Sequence, residues 1–156
     1  MLAASILLRL IVFANGWQFT GYENIYFLGN TLILMTGIFF GIRLFKNNQL
    51  ERTSFLSDLK AGMKVAGIYA ILISFFAYCY YSYIDSQYFT IKMQSQLELA
   101  EQNGAEAGNL KQMRETMGFV LTPYFQSTVT LILFILLGTF YSSIITFFVR
   151  KVRHEA

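Results

Sequence analysis

Arg9 is the first residue whose type and place could do chemistry, because it stands in an apolar run, residues 2–14, that carries no other charge. An ionisable side chain at membrane depth is costly unless it is paired or solvated, so it counts as a functional hypothesis until explained. No acid in the other apolar runs lies at a matching depth. The expectation is therefore that its long side chain reaches back to the headgroups or meets a lipid phosphate, with a transport role as the rival. The single histidine, His154, lies in a basic tail between Arg153 and Glu155 and reads as solvated. Cys79 is the only cysteine, so no intramolecular disulfide can form. In its aromatic surroundings a free thiol behaves as a small hydrophobe. Tyr78, Tyr80, Tyr81, Tyr83 and Tyr88 crowd together. A redox relay or ligand platform built from them would need a metal or radical motif that the sequence does not offer. HExxH, a Cys/His pair, paired intramembrane Asp and a glycine-rich phosphate loop are all missing from the sequence. The reading is of a protein that is not an enzyme and needs no metal or cofactor.

The elements that carry these residues are apolar and long. Of 156 residues 55% are hydrophobic and only 13% charged, about half the charge of an average soluble domain. A soluble core of this length cannot hide so much apolar surface, whereas lipid can. Spanning a bilayer takes about 20 residues at 1.5 Å each. Residues 25–45, 62–84 and 123–149 meet that length, and residues 2–19 make a shorter first candidate. That stretch has no basic residues before it and no small-x-small site after it, which argues against a cleaved signal peptide. The fold class expected is an all-α integral membrane four-helix bundle, a single membrane domain over residues 1–156.

Charge bias orients the spans. From Arg43 to Lys64 there are five cations (Arg43, Lys46, Arg52, Lys60, Lys64) against Glu51 and Asp58, a net of +3. After Val149 come Arg150, Lys151 and Arg153 against Glu155, a net of +2. Residues 85–118 carry three cations against five acids, a net of −2. Lys and Arg are retained on the cytoplasmic side, which puts the first two segments and both termini inside and residues 86–118 outside. Trp17, Phe19, Tyr22 and Tyr26, with the tyrosines after residue 77, then fall at the outer interface, where rings with polar tips are favoured.

Within the outer segment Phe89, Met93, Leu97 and Ala100 recur at helical spacing. Asn103-Gly104 stops that helix, Asn109 is expected to cap a second one, and Thr122-Pro123 suits the start of the last span. The product is an extracytoplasmic helical hairpin, read as a connector or as a docking site for a partner outside the membrane.

Small residues mark the packing surfaces. Gly62, Ala66, Ala70 and Ser74 repeat every four residues, Gly37 and Gly41 form a GxxxG, and Gly138 and Ser142 repeat the spacing. Such rows let helix backbones approach closely, which in lipid replaces the hydrophobic drive. Packing within the chain is the plainer use and homo-oligomerisation the other. Asn30, Thr31 and Gln126 suit helix–helix hydrogen bonding near span ends. Arg43, Lys46, Lys64, Arg150 and Lys151, with Arg9, are the candidate contacts to anionic lipid headgroups.

Gly41-Ile42-Arg43, Phe55, Gly62, the aromatic span ending Tyr83-Ile84-Asp85 and the last span closing on Arg150-Lys151 resemble a bacterial family of small four-helix inner-membrane proteins, domain-of-unknown-function family 4199. Its members carry a hydrophilic helical insertion where residues 87–118 lie here; Ser86 stands where they tend to have proline. The resemblance implies a four-helix inner-membrane fold and brings no activity. The function expected is a non-catalytic subunit or partner of another membrane or envelope protein, with membrane lipid around it and no nucleic acid. The rivals are a small transporter or channel component and an accessory to lipid-linked glycan synthesis.

Overall fold

A computed structural model describes residues 1–20, 23–49 and 53–154, so Tyr22, Glu51, Arg52 and Glu155 lie outside the described residues. The order is α1 (Leu2–Ala14), a 3₁₀ turn (Trp17–Phe19), α2 (Glu23–Asn47), α3 (Phe55–Cys79) running into a π-helical turn (Tyr80–Ile84), α4 (Tyr88–Gln102), α5 (Ala107–Val120) and α6 (Pro123–His154). Among the described residues all regular structure is helical. Three stretches are long and apolar enough to cross a membrane: Asn24–Asn47, Phe55–Ile84 and Pro123–Lys151. The shortest of them, 24 residues, is about 36 Å long at 1.5 Å per residue, against a hydrocarbon core of about 30 Å. Within the expected first span, residues 2–19, the α-helix itself covers 13 residues. α1 ends at Ala14 because the Asn15 amide nitrogen Nδ2 donates to the Ile11 carbonyl (2.7 Å) and Gly16 turns left-handed at φ 66°.

The described chain falls into two compact units. The first comprises residues 1–73 and 131–156 and the second residues 74–130. In the first unit, α2 separates its faces cleanly. Asn30, Leu34, Ile38 and Ile42, each four residues on, are at most 1% exposed. Leu28, Leu32, Phe40 and Leu44 are 59–64% exposed. In water such a row of bare leucines would drive association; facing lipid tails it costs nothing. The same four-residue rows recur as Gly62, Ala66 and Ala70 on α3 and Phe134, Gly138, Ser142 and Thr146 on α6, all buried. Rows of this inclination are the ridges by which helices interdigitate.

The second unit holds the hairpin. α4 closes as expected: Gly104 adopts φ 80° and the Ala105 amide donates back to the Ala100 carbonyl at 3.0 Å, the six-to-one bond of a Schellman end. α5 begins earlier than expected, at Ala107, with Glu106 in the capping position. Asn109 therefore lies inside the helix and caps nothing. Thr122 does cap α6, its Oγ1 accepting from the Phe125 amide at 3.2 Å, with Pro123 at the first helical position. The π-helical turn has no counterpart in the sequence reading. It shifts the tyrosines: the Asp85 amide donates to the Tyr80 carbonyl (2.9 Å), and the Tyr80 hydroxyl donates to Asp85 Oδ2 (3.0 Å). Tyr80, Asp85, Tyr88 and Phe89 are all buried, and the Tyr81 ring packs on Tyr80, Tyr88 and Phe89 at 4.6–5.1 Å. Of the five tyrosines expected at an interface, Tyr78 and Tyr83 are exposed, and the others build the inside of this unit.

Candidate functional site

Two buried polar clusters occupy the first unit, and both lie on the four-residue rows. The first centres on Tyr69 of α3, 3% exposed. Its hydroxyl donates to Asn30 Oδ1 of α2 at 2.8 Å. With that proton engaged, the 2.6 Å contact to Ser5 Oγ has the serine of α1 as donor. Asn30 Nδ2 continues to the Tyr26 carbonyl at 2.9 Å. One phenol thus ties three helices, and its ring meets Phe134 of α6 edge-on at 5.6 Å. Arg9 lies one turn beyond Ser5 on the same face. Sequence reasoning sends this side chain outward to headgroups; in the structure it is folded into the unit, 4% exposed, with its guanidinium 5.0 Å from the centre of the Tyr26 ring. Desolvated cation–ring contacts of this kind are worth about 2 kcal/mol.

The second cluster joins three helix ends. Asp58, in the first turn of α3, is fully buried. Its Oδ2 accepts from Arg150 Nη1 of α6 at 2.9 Å and faces Lys46 Nζ of α2 at 3.5 Å. The same Arg150 nitrogen donates to the Thr53 carbonyl at 2.9 Å. Each charge complements its helix dipole, an acid at the start of α3 and bases in or near the last turns of α2 and α6. A buried carboxylate without such partners is strongly disfavoured. Arg150 and Lys46, expected at lipid headgroups, are therefore both engaged by this acid. The Arg150 side chain remains 30% exposed and that of Lys46 9%. Arg43, Lys64 and Lys151 are exposed.

The small residues make close approaches between helices. A Cβ on Gly62 would lie 2.9 Å from Ser142 Oγ, and one on Gly138 would overlap the Cβ of Ala66. Gly41 stands against Val65, and Gly37 against Met1. Ala70 is buried in the same unit, while Ser74 belongs to the second. Among the described residues no three His, Cys, Asp or Glu side chains come together.

Sequence reasoning missed Ser5, Tyr69, Asp58 and Thr146. The signal was there in the rows. Extending Gly62–Ala66–Ala70 four residues back gives Asp58, and extending Gly138–Ser142 forward gives Thr146 and Arg150. The buried row of α2, extended past Ile42, ends on Lys46.

Comparison with known proteins adds a family and no activity. The family model described as Protein of unknown function (DUF4199) matches residues 1–151. No curated protein and no solved structure matches the chain.

Proposed function

The chain belongs to this family of proteins of unknown function, and from that premise we propose that it is a non-catalytic subunit of a bacterial inner-membrane assembly. In this reading four helices cross, α1 together with its 3₁₀ turn making the first span. Both termini and the basic segment 43–64 are cytoplasmic, and α4 and α5 form the extracytoplasmic hairpin. The observation that carries the reading is how the polar groups are used. Tyr69, Asn30 and Ser5, and Asp58 with Arg150 and Lys46, bind helices of the same chain to one another. α5 meanwhile has none of its residues buried, and Phe119, at its end, is 72% exposed. Polar groups spent within the chain, and a helix with no buried residue, suit a partner protein.

Affinity capture from native membranes in mild detergent, comparing wild type with Phe119→Ser and Arg114→Glu, tests this. One envelope protein should be recovered at stoichiometric amounts and lost in the variants; recovery of this chain alone refutes the reading. The topology is checked separately by placing a cysteine at Ala100 in a Cys79→Ser background. A membrane-impermeant maleimide added to spheroplasts should label it, and labelling only after lysis would reverse the orientation.

A transporter or channel component is the second reading, and the burial of Arg9 against the Tyr26 ring favours it. Proteoliposome flux that is lost in Arg9→Leu would support it; flux that is unchanged or never seen removes it. The tight contact of Gly138 on Ala66 weighs against a continuous path along α3 and α6.

A further inference from the structure

We infer that ordered water occupies the seam between α3 and α6 at Asp58, Ser142 and Thr146, making a buried hydration site inside the first unit.

Asp58 Oδ1, Ser142 Oγ and Thr146 Oγ1 are buried and have no hydrogen-bond partner in the protein, and their residues are 0% exposed. Their neighbours on α6 behave differently. Ser127, Thr128, Thr130, Thr139 and Ser143 each donate to a carbonyl three or four residues earlier, at 2.7–3.0 Å. That back-bond is the ordinary way a hydroxyl is satisfied on a helix away from water. The two buried hydroxyls leave it unused.

Register places the three together. Arg150 reaches Asp58 Oδ2, and Gly62, one turn beyond Asp58, lies against Ser142. The helices run antiparallel here, so Thr146, midway between Ser142 and Arg150, falls between the levels of Gly62 and Asp58. One turn of helix is about 5.4 Å, and a water bonding two oxygens at about 2.8 Å each bridges that interval. Leaving a buried polar atom unmade costs about 1–3 kcal/mol. Three along one seam, all within a turn or two, call for a shared ligand with both donor and acceptor capacity.

Charge selects which ligand. Asp58 already faces two cations, Lys46 and Arg150, so the cluster carries a net charge of +1 and even a monovalent metal ion would raise it to +2. Water is neutral, donates to Asp58 Oδ1 and accepts from the two hydroxyls, which gives it the two to four bonds typical of a buried water. Arg150, 30% exposed at its side chain, marks the way in. Beyond Ser142 the contact of Gly138 on Ala66 closes the seam.

The experiment is water-edited solid-state NMR on the full chain in liposomes, with labelled serine and threonine. Magnetisation should build up from water at the Cβ of Ser142 and Thr146 severalfold faster than at Thr139, which is exposed yet back-bonded. Build-up at Ser142 and Thr146 as slow as at Thr139 overturns the site. So does a structure in which both hydroxyls donate to the Gly138 and Ser142 carbonyls. Thermal stability measured in sodium, potassium and choline chloride at one ionic strength separates the remaining case. Equal stability is expected, and a rise specific to sodium or potassium would put a metal ion in the seam and refute water. Asp58→Asn, which keeps an acceptor at the same place, should retain the fast build-up.

Discussion

Replacing Tyr69 with Phe removes one oxygen and leaves the ring against Phe134. Two hydrogen bonds disappear, one of 2.8 Å to Asn30 Oδ1 and one of 2.6 Å to Ser5 Oγ. Side-chain hydrogen bonds between membrane helices average about 0.6 kcal/mol and reach about 1.7. Asn30 is 1% exposed, so its freed oxygen adds an unmet acceptor, at about 1–3 kcal/mol. The sum is about 2–4 kcal/mol. Ser5 keeps a fallback, the Met1 carbonyl at 3.3 Å, which holds the estimate near its lower end. The assay is reversible unfolding in mixed micelles or by steric trapping, as a double-mutant cycle with Asn30→Leu. In that background Tyr69→Phe should cost only about 0.6 kcal/mol, because the acceptor it would orphan is gone. A single-variant loss below about 0.3 kcal/mol, or two additive losses, would refute the claim that this phenol ties the helices.

Gly138→Val should be severely destabilising or fail to insert, since a Cβ there overlaps Ala66, whereas Gly67→Ala meets nothing within 4 Å and should stabilise by up to about 1 kcal/mol; the same unfolding assay reads both. Arg150→Met should cost about 3 kcal/mol by leaving Asp58 buried with Lys46 alone, the low end of the range for breaking a buried pair. Adding Asp58→Leu should recover most of that loss, and a further fall on adding it would show that the acid is not the reason.

The long spans were legible because composition and length decide them. Residues 25–45 and 123–149 sit inside α2 and α6, and Gly104 ends α4 where Asn103-Gly104 promised it would. The apolar run of the third span begins at Gly62, whereas α3 itself begins at Phe55, so Asp58 lies within the helix and is buried in the bundle. Charge alone made that residue look solvated, and only its place four before Gly62 on the packing row says otherwise. The polar clusters were less legible for a related reason. Ser5, Asn30 and Tyr69 are far apart in sequence and gain meaning only when three helices meet. The π-helical turn at Tyr80–Ile84 was invisible, because no residue type demands it; the pairing of Tyr80 with Asp85 five residues on accompanies it.

The Asp58–Arg150 pair joins residues 92 apart in the chain, and synthesis makes them at different times. At about 5–20 residues per second, roughly 5–20 s pass between the emergence of the acid and that of the arginine. During that interval the nascent bundle holds its carboxylate with Lys46, the one of its two cationic partners already made. A chain cut short just before Arg150 would stay in that state, recognisable to quality-control proteases although nearly every apolar residue had been delivered.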